Sequence, residues 1–147
     1  METDIEELRA KYLKKDFDVK EFPIIAEKTI RFAELCGETA DRFLDPNHKD
    51  FQASPTFVGS LAGSRLLPSD FPRFGIGMDA GKGIECFSPV IPGSVLTGKT
   101  HLHDIYAKTG RSGRMIFIIT RIEFYNSERH LANSDSRIVI AEKQNGR

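Results

Sequence analysis

Between Met115 and Tyr125 every second residue suits a covered sheet face: Ile116, Ile118, Thr120, Ile122 and Phe124. Alternation of period two over such a run specifies a β-strand with one buried side. The odd positions begin apolar and end in Arg121 and Glu123, so the other side is covered only in part. A strand this long needs partners, and the neighbouring sequence supplies them. Val95–Tyr106 reads as a long preceding strand, with a turn over Lys108–Gly113 between the two. Leu131–Ala141 reads as a following strand, and Ile84–Ser88 as a shorter one closed by Pro89 and the Pro92-Gly93 turn. In Leu131–Ala141 the small residues Ala132, Ser134 and Ser136 share one face, which permits close approach by another element.

The first half reads differently. Ile5, Leu8 and Tyr12 are spaced for a short amphipathic helix over 4–14, expected on the surface, and the stretch Lys20–Ile25 breaks it with Pro23. Ile30, Phe32, Ala33 and Leu35 form the apolar side of a second helix over 26–36, with Gly37 as its stop. The segment 38–52 is polar and carries the turn Asp45-Pro46-Asn47. Ser54-Pro55 is a helix start, a capping serine before a proline at the first helical position. The helix it opens, over 56–66, contains Gly59 and Gly63, each costing about 1 kcal/mol against alanine. Such a helix is worth forming only where something packs close to its backbone, and a curved sheet wrapped around it would do so. The expected architecture is therefore α+β, one helix embedded in an antiparallel sheet. The domain is expected over 20–142, preceded by a helical extension over 1–19 and followed by a tail over 143–147.

Composition removes several function classes. Of 147 residues 39% are hydrophobic and 29% charged, ordinary for one globular domain whose core needs no metal or disulfide. Basic and acidic residues both number 21, which argues against a nucleic-acid binder relying on bulk positive charge. Residues 1–73 hold 11 basic and 14 acidic groups, and residues 74–147 hold 10 and 7, so an anionic ligand is expected to favour the second half. Cys36 and Cys86 form no metal-ligand spacing and are expected as buried, reduced thiols. Met1–Glu7 is acidic and lacks the apolar core of a signal peptide, and no apolar run is long enough for a membrane span, so the expected location is the cytoplasm. Gly75-Ile76-Gly77 is not completed as a dinucleotide-binding loop because position 80 is Ala. His101 and His103 alternate with Lys99 on one strand without a third ligand, so no metal site is expected; His130 falls in a turn.

Four phrases carry a resemblance. Arg31–Thr39 (RFAELCGET) resembles "FAxAxGExN"; Ala53–Phe57 (ASPTF) resembles "APPTF"; Ser88–Thr97 (SPVIPGSVLT) resembles "xPIRPGDxLT"; and Gly110–Phe117 (GRSGRMIF) resembles "GRSGxMxF". In this order they are similar to the MaoC-like dehydratases, and most to the fatty-acid-synthase-like amino-terminal hotdog half of (R)-specific enoyl-CoA hydratases. The resemblance implies a single hotdog fold, a central helix wrapped by a curved antiparallel sheet of about five strands. It also implies binding of an acyl thioester of coenzyme A or acyl carrier protein, with no further cofactor.

Catalytic members of that family hydrate an enoyl thioester with an Asp that activates water and a His that moves the second proton. They write the pair as "DxNPxHxDP". Here Gly37–Pro46 occupies that place, so the family's Asp falls on Glu38 and its His on Phe43, which exchanges no proton. No catalytic residue is therefore assigned. Glu38 either caps or salt-bridges the helix end or contacts substrate, and His48, three residues after Asp45 rather than five, reads as a loop residue. The resemblance places substrate contacts at Pro55, Thr56 and Phe57. Lys108, Arg111 and Arg114 surround one turn and either meet the phosphates of coenzyme A or are simply solvated. The reading expected is a non-catalytic hotdog subunit of a heteromeric enoyl-CoA hydratase. Its partner would be a second MaoC-like chain bearing the dyad, in a heterodimer or heterotetramer, with a homodimer when alone. The rivals are a stand-alone acyl-CoA-binding module and a hotdog thioesterase, the latter disfavoured because 56–66 holds no carboxylate.

Overall fold

The computed structural model describes residues 3–142, so the tail expected over 143–147 lies outside the described residues. Helices α1 (Ile5–Tyr12), α2 (Ala26–Leu35) and α3 (Asp41–Leu44) and a 3-10 helix at Pro55–Ser60 accompany five strands. The strands are β1 (Asp16–Pro23), β2 (Gly75–Cys86), β3 (Val95–Gly110), β4 (Gly113–Asn126) and β5 (Arg129–Glu142). They form one antiparallel sheet in the order β1-β3-β4-β5-β2, leaving β1 and β2 as its edges.

The alternation read from the sequence governs the packing. Ile116, Ile118 and Phe124 of β4 are wholly buried, and Ala132, Ser134 and Ile140 of β5 lie beside them on the same face. Two tight turns close the hairpins: Arg111-Ser112 before Gly113 at φ +109°, and Ser127-Glu128 with Ser127 at φ +54°. Register shifts interrupt β1, β2, β3 and the β4–β5 ladder. Such bulges bend a strand and sharpen its twist, which lets the sheet curve about its inner face.

Two apolar clusters share that face. One gathers Phe22, Ile24, Phe57, Val58, Leu96 and Phe124 under the 3-10 helix. The other gathers Leu8, Tyr12, Phe71, Leu102, Ile105 and Ile140 under α1. Burying each large aliphatic or aromatic side chain contributes roughly 1.5–3 kcal/mol.

Four expectations need correction. The helix expected over 56–66 ends after Ser60 and is 3-10 in form, because glycines at 59 and 63 and prolines at 68 and 72 leave little helical propensity to extend it. Gly59 nevertheless sits as close as expected, since a Cβ there would fall 2.6 Å from Ile84 Cδ1. Residues 16–23, for which no strand is expected and of which Lys20–Ile25 is read only as a break after the first helix, pair with β3, where an edge position tolerates Pro23. The strand expected over 84–88 starts instead at Gly75; four glycines masked its pattern. Helix α1 is the amphipathic surface helix expected, with Leu8 and Tyr12 buried in the second cluster and Glu6, Glu7, Ala10 and Lys11 exposed. Both cysteines are exposed rather than buried.

Candidate functional site

Ending the 3-10 helix at Ser60 leaves much of the inner sheet face without a helix over it. The result is a cavity of about 1300 Å³ between the sheet and the irregular segment 61–74. Its floor is built by strand alternation from Thr100 of β3, Thr120 and Ile122 of β4, and Ser136, Ile138 and Ile140 of β5. Apolar floor therefore surrounds a band of hydroxyls, in which Thr120 and Ser136 are directly paired across the sheet. The Thr120 hydroxyl donates to Leu66 O at 2.8 Å and is already satisfied. Arg65, Arg73, Lys82 and Arg137 also line the cavity, and Lys82 Nζ donates to Gly59 O at 2.6 Å. Asp79 is the one carboxylate along the described lining, with Oδ1 accepting from Gly81 N at 3.0 Å. The cavity thus suits a largely apolar ligand with an anionic portion at the rim.

Phe43 is buried in α3, where the resemblance puts the proton-transferring His, and the Arg42 guanidinium lies 4.5 Å from its ring centre. Glu38 follows α2. Its backbone N–H, not its side chain, closes the helix by donating to Ala33 O at 3.0 Å, while Gly37 takes φ +76°. The expected cap by the Glu38 side chain is replaced by this backbone closure. His48 is a loop residue, its Nδ1 accepting from Asp50 N at 3.0 Å.

Pro55 and Thr56 are exposed at the start of the 3-10 helix. Phe57 is buried, edge-on to Phe32 of α2 with ring centres 5.5 Å apart. Pro55 lines a separate cavity of about 200 Å³ with Ser54 and Cys86. There the Cys86 thiol donates to Pro55 O at 3.0 Å, and its partial desolvation in the cavity wall raises its pKa although the residue as a whole is exposed.

The basic turn does not gather at the cavity. Arg114 pairs with Glu142 at 3.2 Å and donates to Thr3 O at 2.8 Å; Lys108 lies over the stacked rings of Tyr106 and Phe117; Arg111 is exposed at the turn. The cations at the cavity, Arg65, Arg73, Lys82 and Arg137, were missed because they stand in a loop, on a glycine-rich edge strand and on β5, far apart in the sequence.

His101 and His103 lie on the opposite face of the sheet, their rings joined Nε2 to Nδ1 at 3.3 Å. Burial lowers both pKa values, although Glu123 and Asp16 pull that of His101 upward. Among the described residues no group of three His, Cys, Asp or Glu could hold a metal ion. His130 contacts Asn133 Oδ1 at 2.6 Å and stacks on Tyr125 with ring centres 4.8 Å apart.

The chain resembles several solved structures, all at low identity, which establish the hotdog fold. One chain of the ChsH1-ChsH2 complex from Mycobacterium tuberculosis matches at 17% identity and TM-score 0.67, over 97% of this chain and 91% of that one. A MaoC-like dehydratase from Phytophthora capsici matches at 20% identity and TM-score 0.70, over 94% of this chain but only 50% of that one. A chain of the carboxy-terminally truncated HadBC (3R-hydroxyacyl-ACP dehydratase) complex from Mycobacterium tuberculosis matches at 15% identity and TM-score 0.60, over 86% and 99%. No curated protein matches significantly. The profile of the FAS1-like dehydratase domain region matches residues 15–133, and with that match over most of its length the chain belongs to this family.

Proposed function

We propose that this chain is the acyl-binding hotdog subunit of a heteromeric enoyl-CoA hydratase, equivalently a 3-hydroxyacyl-CoA dehydratase, and that it does not itself supply the acid–base pair. The observation that carries the reading is Phe43, buried in α3 at the position the resemblance gives to the proton-transferring His. Hydration places hydroxide on C3 of the enoyl group and a proton on C2, and a phenyl ring moves neither proton. The cavity of about 1300 Å³ supports the binding role, with its apolar floor and basic rim.

A partner is supported by β2. It is a twelve-residue edge strand with an unpaired outer side, exposed along nearly all its length, and its Ile76 is 75% exposed. An edge so long and unpaired invites pairing. Two of the similar structures are of named complexes, which agrees with a hotdog partner. In this reading the partner's Asp and His meet the thioester near β2, and this chain holds the acyl group. The reading also places the protein in the cytoplasm; among the described residues no helix is long and apolar enough to cross a membrane.

The test is turnover of crotonyl-CoA. The isolated chain should show no measurable hydration, since loss of a general acid–base group commonly removes about 10²–10⁴-fold in rate. Co-expression with a hotdog chain bearing the "DxNPxHxD" phrase should give a complex with equal numbers of both chains, and activity should appear there. Robust hydration by the isolated chain, abolished by His48→Ala, would overturn the reading. Hydrolysis of acyl-CoA by the isolated chain would indicate a thioesterase instead.

A further inference from the structure

Residues 61–74 form the longest irregular segment between named elements, and every one of them except Asp70 lines the large cavity. A loop of this length without regular structure is uncommon in a compact domain unless it has a task. It is not loose. Lys20 Nζ donates to Ala62 O at 3.3 Å, Ser64 N donates to Asp18 Oδ2 at 2.7 Å, Thr120 Oγ1 donates to Leu66 O at 2.8 Å, and Tyr12 OH donates to Asp70 O at 3.0 Å.

The last of these contacts comes from α1. Tyr12 also places its ring 5.0 Å from that of Phe71, which lies 6.0 Å from Phe74. Leu8 and Tyr12 are buried in the same cluster as Phe71. Arg9 ties α1 to the sheet, donating to Asp104 Oδ1 and to Ile105 O, each at 2.7 Å. The helix thus backs the aromatic part of the cavity wall.

The cavity has two distinct ends. Ile122 of its floor packs on the cluster beneath the 3-10 helix, whereas Ile140 belongs to the cluster beneath α1. At the first end Lys82 reaches Gly59 O from the exposed edge strand. At the second end stand Phe71 and Phe74. A ligand whose reactive group lies beside the β2 edge directs its tail toward these rings.

We propose that Phe71 and Phe74, backed by Tyr12 and Leu8 of α1, are the stop that sets how long an acyl tail the cavity admits. The proposal rests on the acyl-binding reading above. Up to the stop, each methylene that finds apolar room should improve affinity about fourfold. Beyond it, the tail meets a wall that α1 prevents from yielding.

The test is direct binding of straight-chain saturated acyl-CoAs, from butanoyl to octadecanoyl, to the purified full chain by calorimetry. Wild-type affinity should climb with chain length and then break off. Phe74→Ala and Phe71→Leu should move the break to longer chains and raise affinity for the first excluded acyl-CoA about tenfold or more, with butanoyl-CoA changed by less than about twofold. Tyr12→Phe keeps the ring and removes the bond to Asp70, so it should blur the break without moving it as far. Circular dichroism identifies the variants that remain folded. A break that stays put in the folded variants overturns the stop and leaves acyl binding standing. Failure of every acyl-CoA to bind the wild-type chain overturns both.

Discussion

Gly98 of β3 is where packing is tightest around the first apolar cluster, and its replacement has a calculable effect. A Cβ there would lie 2.6 Å from Cε2 and 3.2 Å from Cδ2 of Phe22, and 3.1 Å from Cγ2 of Ile122. The Phe22 ring cannot swing aside, because it stands edge-on to the fully buried Phe124 with ring centres 5.5 Å apart. Gly98→Ala therefore overpacks the core, at a cost of about 1–3 kcal/mol. For a chain of this size that lowers Tm by about 3–10 °C. Gly83→Ala is the matched control, since the nearest atom to its Cβ is Asp135 Cβ at 3.9 Å, an ordinary contact. It should change stability by no more than about 0.5 kcal/mol, with a small gain from the stiffer unfolded chain. Thermal unfolding followed by circular dichroism measures both. If Gly98→Ala melts within a degree of wild type, or if Gly83→Ala falls as far, the argument that Phe22 closes down on bare backbone is wrong.

Gly59→Leu should lower Tm well beyond Gly83→Ala in the same melts, because side-chain atoms added past Cβ run into Ile84. Arg121 grips Asp135 through two bonds of 2.7 and 2.9 Å while both side chains are mostly buried, so Arg121→Ala should cost about 1–3 kcal/mol in urea unfolding. Burial holds the His101 and His103 pKa values below the ordinary 6.5, so their contribution to stability is fully present above that value. It is lost as pH falls through the lower folded values; His101→Gln should flatten this acid limb of a Tm-against-pH curve. Tyr125, bonded to Glu123 at 2.5 Å, has its pKa pushed up to about 12, so its contribution fades between its ordinary 10 and that value, and Tyr125→Phe should flatten the alkaline limb.

The β half of the fold was legible because its signal is local. Ile116, Ile118, Thr120, Ile122 and Phe124 alternate in the sequence and face one side in the sheet, as period-two geometry requires. Helix α2 was legible for the same reason, since its apolar spacing and Gly37 stop are properties of adjacent residues. The replacement of the family's His by Phe43 also stands in the chain of letters alone. What escaped depended on distant partners. Residues 16–23 carry no strong strand pattern and become β1 only because β3 offers its edge. The basic turn was chosen for closeness in sequence, but Glu142, near the end of β5, draws Arg114 away.

By itself, then, the sequence determined the three central strands β3, β4 and β5, the family, and the absence of a proton-transferring residue at position 43. Only the tertiary structure decided where the cavity lies. Its floor comes from three strands, its wall from 61–74 and its aromatic end from Phe71 and Phe74 backed by α1. These pieces are brought together by cooperative burial of side chains far apart in the chain. No local period encodes which of the residues that follow Ser60 will leave helical geometry to enclose that space.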